Sequence, residues 1–558
     1  MKTIRATFGD SSFVEATGQL VPLDYQHRLT PKREGLSPVA VRVNNAVRSL
    51  RAPVRVNATL EPVWRDSKEG AAIYRRSLCF LMAAAGKQLF AGTRFLVGHS
   101  LGYGYYCTTE DTTTGGKSSP LTLDELERLK QRMLSLVNED LPIAPELFSY
   151  EDACAILDRL GLDETRRLLD IHCPLEVTLN TMADFATLYF GPLVPSSAAL
   201  DVFDLTPCEG GFMLRFPRRA EPARLKVESE SPKLFEIYRG FKKRGKLLGV
   251  TSAAALSRLV YEGKTDEFID ISETFQDKTI SSVADQIHDR GFVKVVLIAG
   301  PSSSGKTTMS KKLALHLQAI GYSPKLISLD SYYLSREKTP KDENGCYDYE
   351  CLEALDVELL NENLVDLFSG KAVRLPSYDF SAGKSFFKGD ELSLQEGDIL
   401  VIEGIHGLND KLTPLVSPQN KFKLYVSALT QLNLDDHNRV STSDNRLIRR
   451  IVRDFRYRGK SAADTIAMWP SVRRGERLHI FPFQNNADAM LNTALDYELP
   501  VLKVYAEPLL SCVPPTQPEY AEAERLLEFL SFFPEVPASS VPERSIIREF
   551  IGGSGFKY

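Results

Sequence analysis

Residues 293–317 read Val293-Lys-Val-Val-Leu-Ile-Ala-Gly-Pro-Ser-Ser-Ser-Gly-Lys-Thr-Thr-Met-Ser-Lys-Lys-Leu-Ala-Leu-His-Leu317. The first seven are an apolar, β-type run. The last twelve carry apolar residues at helical spacing. Between them lies a complete G-x-x-x-x-G-K-[ST] loop, in the strand–loop–helix setting that motif requires. Its glycines let backbone N–H groups curl around a phosphate, and the helix N-terminus adds partial positive charge. Gly300, Ser302, Ser303, Ser304, Gly305, Lys306, Thr307 and Thr308 are therefore the expected phosphate-binding residues. Lys306 is placed to reach the β- and γ-phosphates and Thr307 to hold Mg²⁺. The chain is expected to bind a nucleoside triphosphate.

Three features downstream narrow the chemistry. The run Pro324–Leu329 reads as a strand ending at Asp330, in Leu329-Asp-Ser-Tyr-Tyr333. In a doubly wound sheet the carboxyl ends of strands line the ligand crevice, and a carboxylate there can take the proton of an attacking hydroxyl. A second apolar strand, Asp398-Ile-Leu-Val-Ile-Glu-Gly404, ends in Glu403, where an acid would hold Mg²⁺ directly or through water. Six arginines then fall within 13 positions, 446–458, and on a helix Arg446, Arg450 and Arg453 share one face. Such a stripe suits a lid that neutralises charge on transferring phosphates. From Val293 to about Tyr505 strands alternate with helices, which predicts an α/β fold with a mainly parallel, doubly wound sheet.

Composition excludes several classes. At 558 residues the chain has room for three or four domains, and 43% hydrophobic with 25% charged residues is that of a soluble protein. A net charge of −5 does not indicate a generally basic nucleic-acid binder. Eight scattered cysteines with no C-x-x-C pair suit reduced thiols in the cytoplasm. No apolar run reaches the ~18 residues of a membrane span. The N-terminus lacks a signal-peptide core and reads as a first strand.

The motifs Gly300–Thr308, Leu329-Asp-Ser-Tyr-Tyr333, Tyr347-Asp348, Leu375-Pro-Ser-Tyr-Asp-Phe380, Glu403-Gly404 and Arg446–Gly459 together resemble the uridine kinase and phosphoribulokinase family over roughly residues 290–505. The resemblance implies an ATP- and Mg²⁺-dependent kinase acting on a ribonucleoside 5′-hydroxyl. It implies Asp330 as general base, Asp348 on the ribose, and Tyr347 and Tyr378 flanking the base. Tyr333 and Lys384 join the acceptor side, with Lys384 facing phosphate, sugar, base or solvent. Lys306, Arg446, Arg450 and Arg453 are the further catalytic candidates, and Thr307 with Glu403 the metal site. One departure stands out. Uridine–cytidine kinases carry a pyrimidine-reading His three residues after the Tyr-Asp-Phe run, and here that position is Gly383. Relaxed or altered base preference is expected.

Upstream, residues 1–72 contain short β-type runs (Lys2–Phe8, Val39–Val43, Val54–Leu60), and Ala71–Phe90 and Leu121–Val137 read as helices. Residues 1–72 are similar to the ubiquitin-like (TGS) module of threonyl-tRNA synthetases. The stretches from His99 and Tyr189-Phe-Gly-Pro-Leu-Val-Pro-Ser-Ser197 look like the second additional domain of those enzymes. The resemblance implies α+β modules over 1–72 and 73–222 and the kinase domain 291–506; between them 223–290 read as a helical linker, with helices over 233–248, 252–262, 264–273 and 280–290, and the tail 507–558 carries a further helix. Of the synthetases' four editing ligands only His99 survives; Tyr103, Tyr189 and Leu193 stand at the other positions. His172 and Cys173, on a strand, would face opposite ways. Neither zinc nor editing activity is expected there. A small-molecule or RNA ligand of this half, and a homo-oligomer, are the candidate partners beside the nucleoside. Two rival readings remain open: a kinase of another hydroxylated small molecule such as a sugar phosphate, and an ATP-driven RNA- or amino-acid-binding regulator.

Overall fold

The computed structural model describes residues 3–9, 12–29, 36–100, 102–114, 116–226, 240, 242, 244–343, 345, 347–379 and 382–557. The chain opens with a five-stranded mixed sheet, order β2-β1-β5-β3-β4, built from β1 (Thr3–Phe8), β2 (Ser12–Thr17), β3 (Pro38–Val43), β4 (Ala46–Arg48) and β5 (Ala58–Trp64). The last of these differs from the expected strand 54–60. Val54 makes only an isolated bridge, exchanging both backbone bonds with Leu20, and the ladder starts at Ala58. Helix α1 (Lys68–Leu89) begins three residues earlier than its apolar spacing indicated, because Ser67 caps it by accepting from the Gly70 N–H.

Two antiparallel sheets follow. Strands β6 (Thr93–Ser100), β7 (Gly104–Asp111), β12 (Asp204–Cys208) and β13 (Gly211–Arg215) pair in the order β12-β13-β7-β6, with β8 (Lys117–Ser118) on β7. Strands β9 (Ala144–Ser149), β10 (Glu176–Met182) and β11 (Phe185–Thr187) form the other. Helix α2 (Leu123–Asn138) carries a full capping box between Thr122 and Glu125. Helices α3 (Tyr150–Arg159) and α4 (Asp163–His172) lead into β10. His172 and Cys173 are therefore not on a strand: His172 ends α4, and Cys173, at φ 40°, is its left-handed cap.

The expected helix 233–248 lies outside the described residues up to 239, and 244–248 are helical. Phe380 of the Tyr-Asp-Phe run, with Lys2, Leu101 and Cys346, is also outside them. Helix α5 (Ala253–Tyr261) matches expectation. The two helices expected over 264–273 and 280–290 are one, α6 (Thr265–Arg290). No Gly or Pro interrupts 274–279, and the Thr279 hydroxyl bonds back to the Phe275 carbonyl, 2.9 Å. Helix α6 buries Phe268, Ile269, Ile280 and Val283.

The third large sheet is wholly parallel, order β15-β18-β14-β19-β20, formed by β14 (Val295–Ala299), β15 (Ser323–Ser328), β18 (Asp398–Glu403), β19 (Lys421–Ser427) and β20 (Ala489–Asn492). A hairpin of β16 (Val373–Asp379) and β17 (Lys384–Leu392) stands apart. The sheet is flanked by α7 (Lys306–Ala319), α8 (Val357–Phe368), α9 (Thr442–Arg458), α10 (Ala462–His479) and α11 (Glu498–Ser511). Val296 and Ile298 of β14 face one core, and Val295 and Leu297 another. This two-sided burial is why the strand reads as an uninterrupted apolar run. Among the described residues no helix is long and apolar enough to cross a membrane.

The first core is continuous from Leu78 and Phe80 of α1 to Leu424, Leu447 and Phe550. The loop 429–440 seals this junction. Asp436 takes two bonds from Arg94 (3.1 and 2.5 Å), the Val97 N–H donates to the Asp436 carbonyl (2.8 Å), and Asn438 donates to the Leu188 carbonyl (3.0 Å). Helix α12 (Tyr520–Ser531) adds a bidentate Arg48–Glu524 pair at 2.7 Å.

Candidate active site

The parallel register brings the site together. Ser328 and Ile298 both lie level with Glu403, so three strands end on one line, with β18 in the middle and the phosphate loop leaving from β14 beside it. A Cβ on Gly300 would sit 2.0 Å from the Val426 carbonyl oxygen, a close approach only glycine permits. Gly305, at φ +81°, makes the left-handed turn into α7. Ser303, Ser304 and Thr308 are buried, while Ser302, Lys306 and Thr307 stay partly open.

Glu403 is buried at the strand end. Its Oε1 accepts from the Ser328 hydroxyl (2.8 Å) and the Thr307 hydroxyl (3.2 Å). Burial, with Asp330 adding like charge, pushes its carboxyl up to about 7. Lys306 donates to the Pro301 carbonyl at 3.2 Å. Burial lowers its ammonium pKa, opposed by Glu403, Asp330 and Glu549. Asp330 sits in the single turn Leu329–Tyr332 that follows β15, half-buried. A lysine, a hydroxyl–carboxylate pair and a second carboxylate thus share one crevice. Such a set can bind polyphosphate, hold a divalent cation and accept a proton.

The arginine stripe is on α9, as expected, but it is packed against the loop rather than lifted as a lid. Arg446 Nε donates to the Ser302 carbonyl (2.8 Å) and pairs with Glu476 of α10. Arg450 donates to the Ser302 hydroxyl at 2.6 Å and pairs with Asp454 at 3.2 Å. Burial lowers the pKa of both guanidinium groups. Arg453 turns to Asp454, 2.7 Å. The neighbour that sequence reading passed over is Arg449: wholly buried, it donates to the Ser303 carbonyl (3.2 Å) and pairs with Glu498.

The rings of Tyr333 and Tyr378 are 5.6 Å apart, and those of Tyr347 and Tyr349 6.2 Å. Tyr347 is exposed, and Asp348 Oδ1 accepts from the Glu350 N–H at 3.0 Å. Lys384 is exposed on β17. Gly383 is at φ +69°, and a Cβ there would meet the Arg336 guanidinium at 2.8 Å. Arg336 also bonds the Tyr349 side chain. Sequence reading missed Arg336 and three carboxylates. Glu476 accepts from the Ser302 N–H (3.3 Å), Glu549 accepts from Thr308, and burial raises Glu350 beside Arg450, Lys306 and Asp330. The Tyr-Asp-Tyr-Glu350 run adjoins the Tyr347-Asp348 motif, a local signal for Glu350; Glu476 and Glu549 are remote from the loop in sequence.

The sequence model of the Phosphoribulokinase / Uridine kinase family matches residues 295–499. The uridine kinase of Macrococcus caseolyticus (strain JCSC5402) is 34% identical over 181 residues, which are 32% of this chain and 78% of that protein. The chain belongs to the phosphoribulokinase/uridine kinase family. The uridine kinase of Staphylococcus aureus (strain JH9) is 33% identical over 181 residues, 32% of this chain and 77% of its own. Among solved structures, one described as a possible uridine kinase from Bacillus stearothermophilus is 24% identical, with a TM-score of 0.23, and covers 26% of this chain and 78% of that one. As a member of this family the chain is an ATP-dependent phosphotransferase.

Proposed function

We propose that the chain is a nucleoside kinase, transferring the γ-phosphoryl group of ATP to the 5′-hydroxyl of a ribonucleoside. The observation that carries this is the convergence of Lys306, Thr307, Glu403 and Asp330 at the ends of three parallel strands. Lys306 binds the β- and γ-phosphates, and the loop N–H groups orient them. A buried carboxylate that accepts from the Thr307 hydroxyl brings together two oxygen ligands suited to a hard divalent cation. Thr307 and Glu403 would hold Mg²⁺, which supplies charge neutralisation on the phosphates. Asp330 accepts the hydroxyl proton as the oxygen attacks phosphorus. Arg446 and Arg450 hold the loop from below, Arg453 extends the positive field, and Tyr333, Tyr347, Tyr378, Asp348 and Lys384 receive the acceptor. The N-terminal half we read as a synthetase-like module kept as a binding surface, in a cytoplasmic enzyme.

A second reading, a kinase of an anionic acceptor such as a sugar phosphate, has one observation behind it. The space a side chain at 383 would take is filled by the guanidinium of Arg336, a donor fork suited to phosphate or carboxylate. ADP release across nucleosides and sugar phosphates separates the two. Lys306→Ala should lower kcat by more than tenfold with any true acceptor. Retention above about a tenth, under ~1.4 kcal/mol of barrier, rejects the assignment.

A further inference from the structure

The phosphate loop is met by this chain's own C-terminal segment. Residues 545–551 are packed as core: Ser545, Ile546, Ile547, Phe550 and Ile551 are at most 2% exposed. Ser545 bonds the Tyr497 hydroxyl (3.2 Å), and the Phe550 ring lies 5.0 Å from the Arg449 guanidinium that also holds the Ser303 carbonyl. Ile546 closes over Gly305, where a Cβ would be 2.6 Å from its side chain. This anchoring aims Glu549 at the first turn of α7. Its Oε2 accepts from both the Thr308 N–H (3.1 Å) and the Thr308 hydroxyl (2.6 Å). Further along, Lys311 bonds the Lys557 carbonyl.

Thr308 N–H is one of the first-turn donors a helix cannot satisfy internally. In a phosphate loop these donors receive the α- and β-phosphates. Here a carboxylate already occupies that position through two bonds. Glu549 also joins Glu403 and Asp330 as the third negative charge acting on Lys306. A triphosphate seated on the same N–H would place a second anion against Glu549, and one donor cannot serve both. Ser302, Lys306 and Thr307 remain partly open, so the terminal phosphates keep access while the inner one is blocked.

We propose that Glu549 is an intramolecular competitor for the donor's inner phosphate, so that ATP binds only as the segment carrying it leaves Thr308. The proposal rests on the kinase reading. It is a self-imposed population cost: the apparent affinity falls by the fraction of chains with the segment released.

The test uses the full chain and direct Mg-ATP titration, without acceptor, for wild type, Glu549→Gln and Lys306→Ala. Glu549→Gln should bind ATP about tenfold tighter or more, the scale of one charge-assisted bond, and Lys306→Ala weaker. Amide hydrogen exchange on the wild-type chain needs no variant: saturating ATP should speed exchange across 545–553. Equal or weaker binding by Glu549→Gln overturns the proposal, as does slower exchange of the segment with ATP, which would make the segment part of the donor site. These outcomes leave the kinase reading intact. Absence of ATP binding in wild type and Glu549→Gln alike removes both.

Discussion

The buried carboxylate at the end of β18 should impose a pH dependence on donor binding. Glu403 has two hydroxyl neighbours, Ser328 at 2.8 Å and Thr307 at 3.2 Å. Burial, then the like charge of Asp330, raises its pKa to about 7, with Lys306 acting in the opposite sense. A metal ligand must be ionised. The sign follows: above about pH 7 the free protein has Glu403 charged and ready; below it the proton must first be lost, and Mg-ATP affinity falls. With an inflection at 7 the ionised fraction drops from roughly 0.9 at pH 8 to roughly 0.1 at pH 6, so the dissociation constant should rise about tenfold over that interval. The measurement is Mg-ATP titration at fixed ionic strength and excess Mg²⁺ between pH 5.5 and 8.5. Glu403→Gln, run in parallel, removes the nucleotide's own titration from the comparison: it should bind more weakly and without the wild-type inflection. Asp330→Asn removes the second cause and should move the inflection to lower pH. A wild-type profile parallel to that of Glu403→Gln would refute the assignment of Glu403 to the metal. An inflection unmoved in Asp330→Asn would refute the electrostatic coupling of the two carboxylates.

Asp330→Asn should also lower kcat on the order of 10²–10⁴-fold with ATP binding at high pH nearly intact, as expected for loss of a general base; collapse of ATP affinity with normal residual turnover would make Asp330 a metal or structural residue. At the junction of the two halves, Asp436→Ala leaves the Arg94 guanidinium without its two-bond partner. Glu110 remains at 3.6 Å from Arg94, so the loss should be about 1–2 kcal/mol, read as a lowered unfolding midpoint. The Arg94→Met, Asp436→Ala double variant should lose less than the sum of the singles, and strict additivity would count against the pair.

What the sequence disclosed follows a physical division. The phosphate loop is contiguous, and its function depends on backbone geometry that Gly300, Gly305 and Lys306 announce locally. Asp330 and Glu403 were legible because strand ends in a parallel sheet meet at one edge, so two apolar runs sufficed to place them. The arginine stripe was legible as a helix face but not in direction. Periodicity says which arginines lie together; only the fold says that Arg446, Arg449 and Arg450 press on the carbonyls and hydroxyl of Ser302 and Ser303. Glu476 and Glu549 touch the loop from 174 and 241 residues away, a distance no local pattern spans. The expected break between two helices failed at 274–279, where Gln276 is buried and accepts from Lys312 of α7, and the Thr279 hydroxyl bonds back to the Phe275 carbonyl. Gly383 was noted as a vacancy in a motif, yet what fills it, Arg336, comes from a different turn.

The burial of those arginines changes what they can contribute. A lid must cross from solvent to phosphate, and its guanidinium groups must be hydrated in the open state. Arg446 and Arg449 are at most 1% exposed, and each is neutralised by a carboxylate, Glu476 or Glu498, itself wholly buried. Moving either pair into water would dismantle the core between α9, α10 and α11. Their bonds end on the Ser302 and Ser303 carbonyls, which fixes the path of the loop. On the kinase reading proposed above, the stripe acts before any donor arrives, by holding the loop in place so that less ordering remains to be done on binding. The same rigidity extends toward the N-terminal half. The 429–440 loop that Arg94, Val97 and Leu188 grip runs directly into α9, so the helix that shapes the phosphate loop begins at the junction of the two halves.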